Sequence, residues 1–220
     1  NSAASYGGGV HLRNNAQPTF TNCDFDSNMC LGSGGGFSIR QSQPTITNCQ
    51  IRQNIANADG GGIHLRESAD AVLNACEISG NFSISNGGGV SSNQSTLHCT
   101  NCLITKNRTS ALGGGIATAN SSKINLLHCT IGGSVNGGIR LESTVADIEN
   151  SIVAMSSGSN LYFDASSASR IAYSLLQGSL QFAGGNPNQG PEFIGTRVAV
   201  NANGDSCDTY FNLYFNPEFV

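Results

Sequence analysis

The residues best placed to do chemistry are three arginines and two histidines. Arg13, Arg40 and Arg66 are separated by 27 and 26 residues, and His11 and His64 each stand two positions before an arginine of that set. On a scaffold of stacked strands repeating at this interval, the three guanidinium groups align at a spacing of about 4.8 Å. Like charges so close need something negative over them, and guanidinium favours bidentate carboxylate or sulfate partners. Two readings follow. The row is paired with nearby acids (Glu67, Asp59, Asp70) or with an adjoining segment of a parent protein, or it is a groove for an acidic glycan. A lyase, with arginine neutralising a uronate and histidine or arginine as the base, would also want clustered acids for calcium, whereas Asp and Glu are scattered here. A hydrolase could draw on Asp24 and Glu77, which share a position two repeats apart, roughly 9.6 Å by strand stacking. Outward acids on such a scaffold are ordinarily just solvated, and neither the Asp-Asp nor the Gly-His-Gly motif of pectin-cleaving glycosidases occurs. Binding therefore ranks ahead of cleavage, with no catalytic residue assigned.

The element that must position these side chains is a repeat. Gly-Gly-Gly recurs at 7–9, 34–36, 60–62, 87–89 and 113–115, followed by a shortened Gly137-Gly138; from third glycine to third glycine the steps are 27, 26, 27, 26 and then 23. Cys23, Cys49, Cys76, Cys102 and Cys129 keep the same rhythm. A fixed period of this length marks a solenoid or a propeller. After the glycines, runs such as Ile63-His64-Leu65-Arg66 alternate apolar with polar, and two further short apolar runs follow in each unit. That predicts three half-buried strands per unit and no helix. A propeller blade needs four antiparallel strands in ~40–45 residues. The expected fold is all-β, a right-handed parallel β-helix of about seven coils with a C-terminal capping segment.

The corners carry their own columns. Asn1, Asn28, Asn54, Asn81 and Asn107 each precede the first glycine of a triplet by six residues. Asparagine tolerates the left-handed backbone region and can stack its amide on the next coil, so this column is predicted to be a buried structural ladder. Asn22, Asn48 and Asn101 form a second column, broken by Ala75 and His128. The five cysteines are expected to face inward as buried thiols rather than bridges, because in-register Cβ vectors run parallel. Cys99 takes an inward place held elsewhere by Phe20, Ile46, Leu73 and Leu126, while Cys30 and Cys207 could be exposed or bridged. Cys99-Thr100-Asn101-Cys102 has zinc-like spacing, but without a second pair it predicts no metal site, and no cofactor is implied.

Regular coils are expected over 1–133 and shorter ones over 134–183, with a loop and an aromatic cap, or the start of a further module, over 184–220. Asn1 occupies the corner position, so the chain reads as a fragment that begins in mid-coil. The 220 residues carry a net charge of −4 with 11% charged residues. No basic run points to nucleic acid, and no apolar stretch approaches a membrane span. Of four sequons, those at Asn81 and Asn107 fall on the buried corner column, leaving Asn93 and Asn120 as candidate glycosylation sites.

Triple glycine followed by Ile or Val, paired with Phe25-Asp26-Ser27-Asn28, Ile51-Arg52-Gln53-Asn54, Ile78-Ser79-Gly80-Asn81 and Ile104-Thr105-Lys106-Asn107, resembles the repeats of polymorphic outer-membrane proteins and related bacterial surface β-helix proteins. Asn150-Ser151-Ile152-Val153 and Gly190-Pro191-Glu192-Phe193-Ile194 are similar to closing coils of large secreted β-helix proteins. The resemblance implies secretion and an adhesive, passenger or architectural role at a cell surface. Expected partners are adjoining segments of the parent protein, copies of the chain, or a glycan or cell-surface ligand.

Overall fold

In the computed structural model, which describes residues 1–164, 166–182, 199–200, 204–207 and 212–213, the chain is a parallel β-solenoid. Each regular coil contributes one strand to each of three long walls. The first wall holds eight strands, running from Val10–Leu12 through Phe37–Arg40, Ile63–Arg66, Val90–Asn93 and Ile116–Ala119 to Ile139–Leu141, Leu161–Phe163 and Leu180–Phe182. The second and third walls hold seven strands each, beginning at Thr19–Thr21 and Asp24–Asp26. Pairing is parallel and in strict register, so that Ile63 stands between Phe37 and Val90, and Ile78 between Ile51 and Ile104. Alternate residues of each strand point inward, which stacks Ile51, Ile78, Ile104 and Ile131 into one buried file. Each such side chain stabilises the fold by roughly 1.5–3 kcal/mol on burial.

A fourth, two-residue strand in each regular coil departs from the three-strand expectation. Ser2–Ala3, Met29–Cys30, Ile55–Ala56, Phe82–Ser83 and Arg108–Thr109 form a narrow five-stranded corner sheet between the third wall and the glycines. Two residues are too few to show a period in sequence. Its inward position explains Cys30, which is buried and free, between Ala3 and Ala56, rather than exposed or bridged. The side chain of Cys207 lies outside the described residues, as does most of 184–220. Within that stretch, Leu213 N–H donates to Ser174 O and Leu213 O accepts from Leu176 N–H, both at 2.8 Å, beside the last strand of the third wall.

The corners share one device: a side-chain acceptor receives the backbone N–H of the same position one coil earlier. Asn54, Asn81 and Asn107 accept in this way from Asn28, Asn54 and Asn81 at 2.9–3.0 Å. These asparagines are buried, but they are not the left-handed residues of the corner. That conformation falls on the residue before each of them, Ser27, Gln53, Gly80 and Lys106, because the asparagine's task is hydrogen bonding rather than backbone reversal. In the second column Asn22, Asn48, Ala75, Asn101 and His128 do take positive φ, near 51–55°.

The thiols do more than fill space. Each of the five column cysteines donates across its corner to the carbonyl two residues earlier, as in Cys49 Sγ to Thr47 O at 3.2 Å and Cys129 Sγ to Leu127 O at 3.4 Å. In the shorter coils Ser151 and Ser174 make the same bond at 2.9 and 2.8 Å. Cys129 N–H donates to Ser151 Oγ, Ser151 N–H to Ser174 Oγ, and Ser174 N–H to Asn212 Oδ1. The position thus selects a small side chain with one donor, and thiol or hydroxyl serves. Among the described residues no group of three or more His, Cys, Asp or Glu side chains has metal-binding geometry, and the five column cysteines, Cys30 and Cys99 are free.

Candidate functional site

The first wall's outer face carries the residues singled out by spacing. His11, Ser38, His64, Ser91, Ala117, Arg140 and Tyr162 form one outward column, and Arg40, Arg66, Asn93 and Ala119 the next. Arg13 stands just past the end of its strand and is exposed. The turn before each strand folds over this face, since a Cβ on Gly34 or Gly60 would reach the Cβ of Ser38 or His64 within 2.9 Å.

The arginines find a local acid. Arg40 Nε lies 2.6 Å from Glu67 Oε2 and Arg66 Nη1 lies 3.0 Å from Glu67 Oε1, so one carboxylate bridges two coils. Of the other two acids expected to take part, Asp59 accepts from Asn86 N–H at 2.9 Å and Asp70 faces His98 at 3.4 Å. The guanidinium of Arg66 also stacks on Tyr6, 4.0 Å from the ring centroid, and Tyr6 packs on His11 at 5.7 Å. Tyr6 was not singled out by spacing, because it lies in a turn rather than on a strand. Burial, and then the charges of Arg66, Arg13 and Arg40, hold His11 below the usual histidine range.

His64 is the buried member of the set, 7% exposed, with Nδ1 unpartnered. Ser38 Oγ, in register beside it and fully buried, and Arg66 Nε also lack partners. Burial outweighs the attraction of Asp59 and holds the His64 pKa at about 4, so the ring is neutral at pH 7. The unfolded chain titrates near 6.5; between these values the unfolded state binds the extra proton and stability falls as pH drops. A gap of this size corresponds to at most about 3 kcal/mol, lost fully below the folded pKa. Denaturation midpoints of wild type and His64→Gln should therefore converge as pH is lowered from 7 to 4. Parallel curves would refute this account of the ring.

Asp24, Gln50 and Glu77 share one outward column of the third wall, at the mouth of an open depression of about 380 Å³. Gln50 stands between the two acids, and Glu77 accepts from Ser79 Oγ at 2.7 Å. Asn93 and Asn120 lie on neighbouring coils with their amides joined, Asn120 Nδ2 to Asn93 Oδ1 at 3.1 Å. The third residues of their sequons, Ser95 and Ser122, are buried in the corner, where Ser95 N–H donates to Ser122 Oγ.

Residues 1–153 match the family model described as the right handed beta helix region. The chain belongs to this right-handed β-helix family. The match covers more than half of the sequence and supplies the handedness of the coil. No curated protein and no solved structure matches the chain. Membership in the family fixes the architecture, in which outer walls and ends are the surfaces open to ligands. Among the described residues no helix is long and apolar enough to cross a membrane.

Proposed function

We propose that this β-helix segment is a non-catalytic module of a larger secreted or cell-surface protein, with an adhesive or assembly role. The supporting observation is an apolar stripe along the corner sheet and the turns that follow it. Met29, Leu31, Ile55, Ile84, Leu112 and Val135 are each 39–55% exposed, and Met29 and Ile55 are in register. Large exposed apolar patches mark interaction surfaces. The stripe is interrupted at Arg108, which stands in register between Phe82 and Val135 and stacks on the Phe82 ring, but its length over successive coils suits a partner that is itself extended, such as an adjoining segment of the parent protein or a second copy. Resemblance of the repeats to polymorphic outer-membrane proteins agrees with an extracellular setting. The test is sedimentation velocity from micromolar to near-millimolar concentration. Self-association that is weakened in the double variant Ile55→Asp/Ile84→Asp is expected; an identical monomer in both proteins at every concentration would defeat the assembly reading.

A second reading, binding of an acidic polysaccharide at the His11, Arg13, Arg40, His64 and Arg66 wall, draws support from two cations, the exposed Arg13 and the half-exposed Arg40. Glu67 already neutralises part of that charge, which weakens it. Under this reading Arg40→Glu should abolish retention on a heparin-type column, and unchanged retention excludes the groove. Incubation with polyuronates tests cleavage directly, since an unsaturated, ultraviolet-absorbing product would mean an enzyme.

A further inference from the structure

We propose that the cleft opened where the corner turn shortens, between Leu112, Arg140 and Tyr162, is a binding site for a neutral sugar residue. The fifth coil has six residues, 108–113, between the corner Asn107 and Gly114; the sixth has two, 135–136, between Ser134 and Gly137. Register shows these to be equivalent positions, because Arg108 N–H donates to Asn81 O as Val135 N–H does to Asn107 O, and Ile116 N–H donates to Gly138 O. The turn that overhangs the first wall in the earlier coils is thus missing from the sixth. At the step lies a cavity of about 400 Å³, within the size range of small-molecule sites.

Its lining combines apolar surface with planar hydrogen-bonding groups. Leu112 forms one side and is 46% exposed. Arg140, Tyr162 and Gln181 come from the next three coils of the wall. Arg140 lies with its guanidinium 4.4 Å from the Tyr162 ring centroid, which fixes both side chains. Asn136, Ser159 and Gln181 place two amides and a hydroxyl around the rim, the Asn136 amide held by the bond its Nδ2 donates to Thr109 O at 2.7 Å. Gly158 takes a φ of +79°, which favours glycine there, and a Cβ would meet Gly137 N and Asn136 C only at ordinary contact distance, 3.6 and 4.0 Å.

A pyranose ring has the matching chemistry: a C–H face for Leu112, C–H groups for the edge of the tyrosine whose one face Arg140 covers, and hydroxyls that both donate and accept for amide groups. The charge state selects against an acidic sugar. Glu142 is ion-paired with Arg140, so the only cation of the lining among the described residues is already balanced. This site lies three coils along the wall from His64 and Arg66 and shares no residue with them; it shares Leu112 with the apolar stripe, but does not require that stripe to act in assembly.

The probes are cellotetraose, mannotetraose and a β-1,4-galactotetraose, with tetragalacturonate as the acidic comparison, titrated into the ¹⁵N-labelled chain. At least one neutral probe should saturably shift the side-chain amide resonances of Asn136 and Gln181. Tyr162→Ala and Gln181→Ala should each weaken that binding tenfold or more. Gln181 is exposed on the rim, so its substitution leaves the fold intact even if Tyr162→Ala does not. The proposal is overturned if no neutral probe moves these resonances, if only tetragalacturonate does, or if Gln181→Ala binds as wild type. Sedimentation of the same samples reports on self-association separately, so failure of either reading is distinguishable from failure of the other.

Discussion

Gly61→Ala should destabilise the solenoid by about 4 kcal/mol or more, among the largest effects a single methyl group can have. The reason is not backbone conformation, since Gly61 does not take positive φ. An added Cβ would sit 2.4 Å from Gly88 O and 2.5 Å from Phe82 O, both backbone atoms of the next coil. Relief would require the coils to part locally by about 1 Å, given ordinary carbon contact near 3.5 Å. That gap would break the bonds from Gly61 N–H to Gly87 O, 3.1 Å, and from Gly62 N–H to Gly88 O, 3.2 Å. Buried backbone groups left unpaired cost roughly 1–3 kcal/mol each. Gly80→Ala provides the control. There φ is +65° and the new Cβ meets only Gln53 Cγ at 3.7 Å, so only the left-handed strain of about 1–2 kcal/mol applies. Chemical denaturation of the two variants beside wild type measures the difference, and a Gly61→Ala protein within about 1 kcal/mol of Gly80→Ala would show that the coils can separate without loss.

These two glycines illustrate what was legible in the sequence. Register was readable because a step of 26 or 27 residues places like upon like, so the Ile51, Ile78 and Ile104 file and the corner asparagines could be aligned before any coordinates. What a column does was harder to read. The glycine triplet is open to positive φ or to close backbone approach, and the two tasks fall on different members: the first takes positive φ, while the middle one is required for close approach. The asparagine column suggested left-handed backbone, yet the preceding residue carries it. Pairings between neighbouring coils were only partly predictable, since spacing puts Glu67 near the arginines but does not reveal that Asp59 turns to Asn86 instead. The cleft at Tyr162 went unseen for a different reason. The alignment of Leu161-Tyr162-Phe163 with Ile139-Arg140-Leu141 was readable, but a cavity arises from four residues that are absent from a turn, and a periodic pattern draws the eye to what repeats.

Asn81→Ala carries the second large effect, through hydrogen bonds rather than contact distance. Asn81 is fully buried and uses both ends of its amide. Oδ1 accepts from Asn54 N–H at 2.9 Å and from Asn54 Nδ2 at 3.0 Å; Nδ2 donates to Ile51 O at 2.8 Å and to Asn107 Oδ1 at 3.0 Å. Truncation leaves two donors of Asn54 and the carbonyl of Ile51 without these partners inside the corner, so the loss should reach about 4 kcal/mol. Aspartate should be no remedy. Its second oxygen would face Ile51 O and Asn107 Oδ1, two acceptors, and convert attraction into repulsion. Because each coil of a solenoid leans only on its neighbours, the damage should also be local, dividing one cooperative unit at the third and fourth coils. Melting followed by hydrogen exchange should show early loss of protection on both sides of Asn81, at Asn54 and Asn107. The outward Asn48→Ala supplies the comparison, because Ala75 already occupies that column one coil later with the same left-handed backbone. If Asn81→Ala and Asn48→Ala melt together, the inward amides contribute no more than the outward ones, and the corner column cannot be what holds successive coils in register.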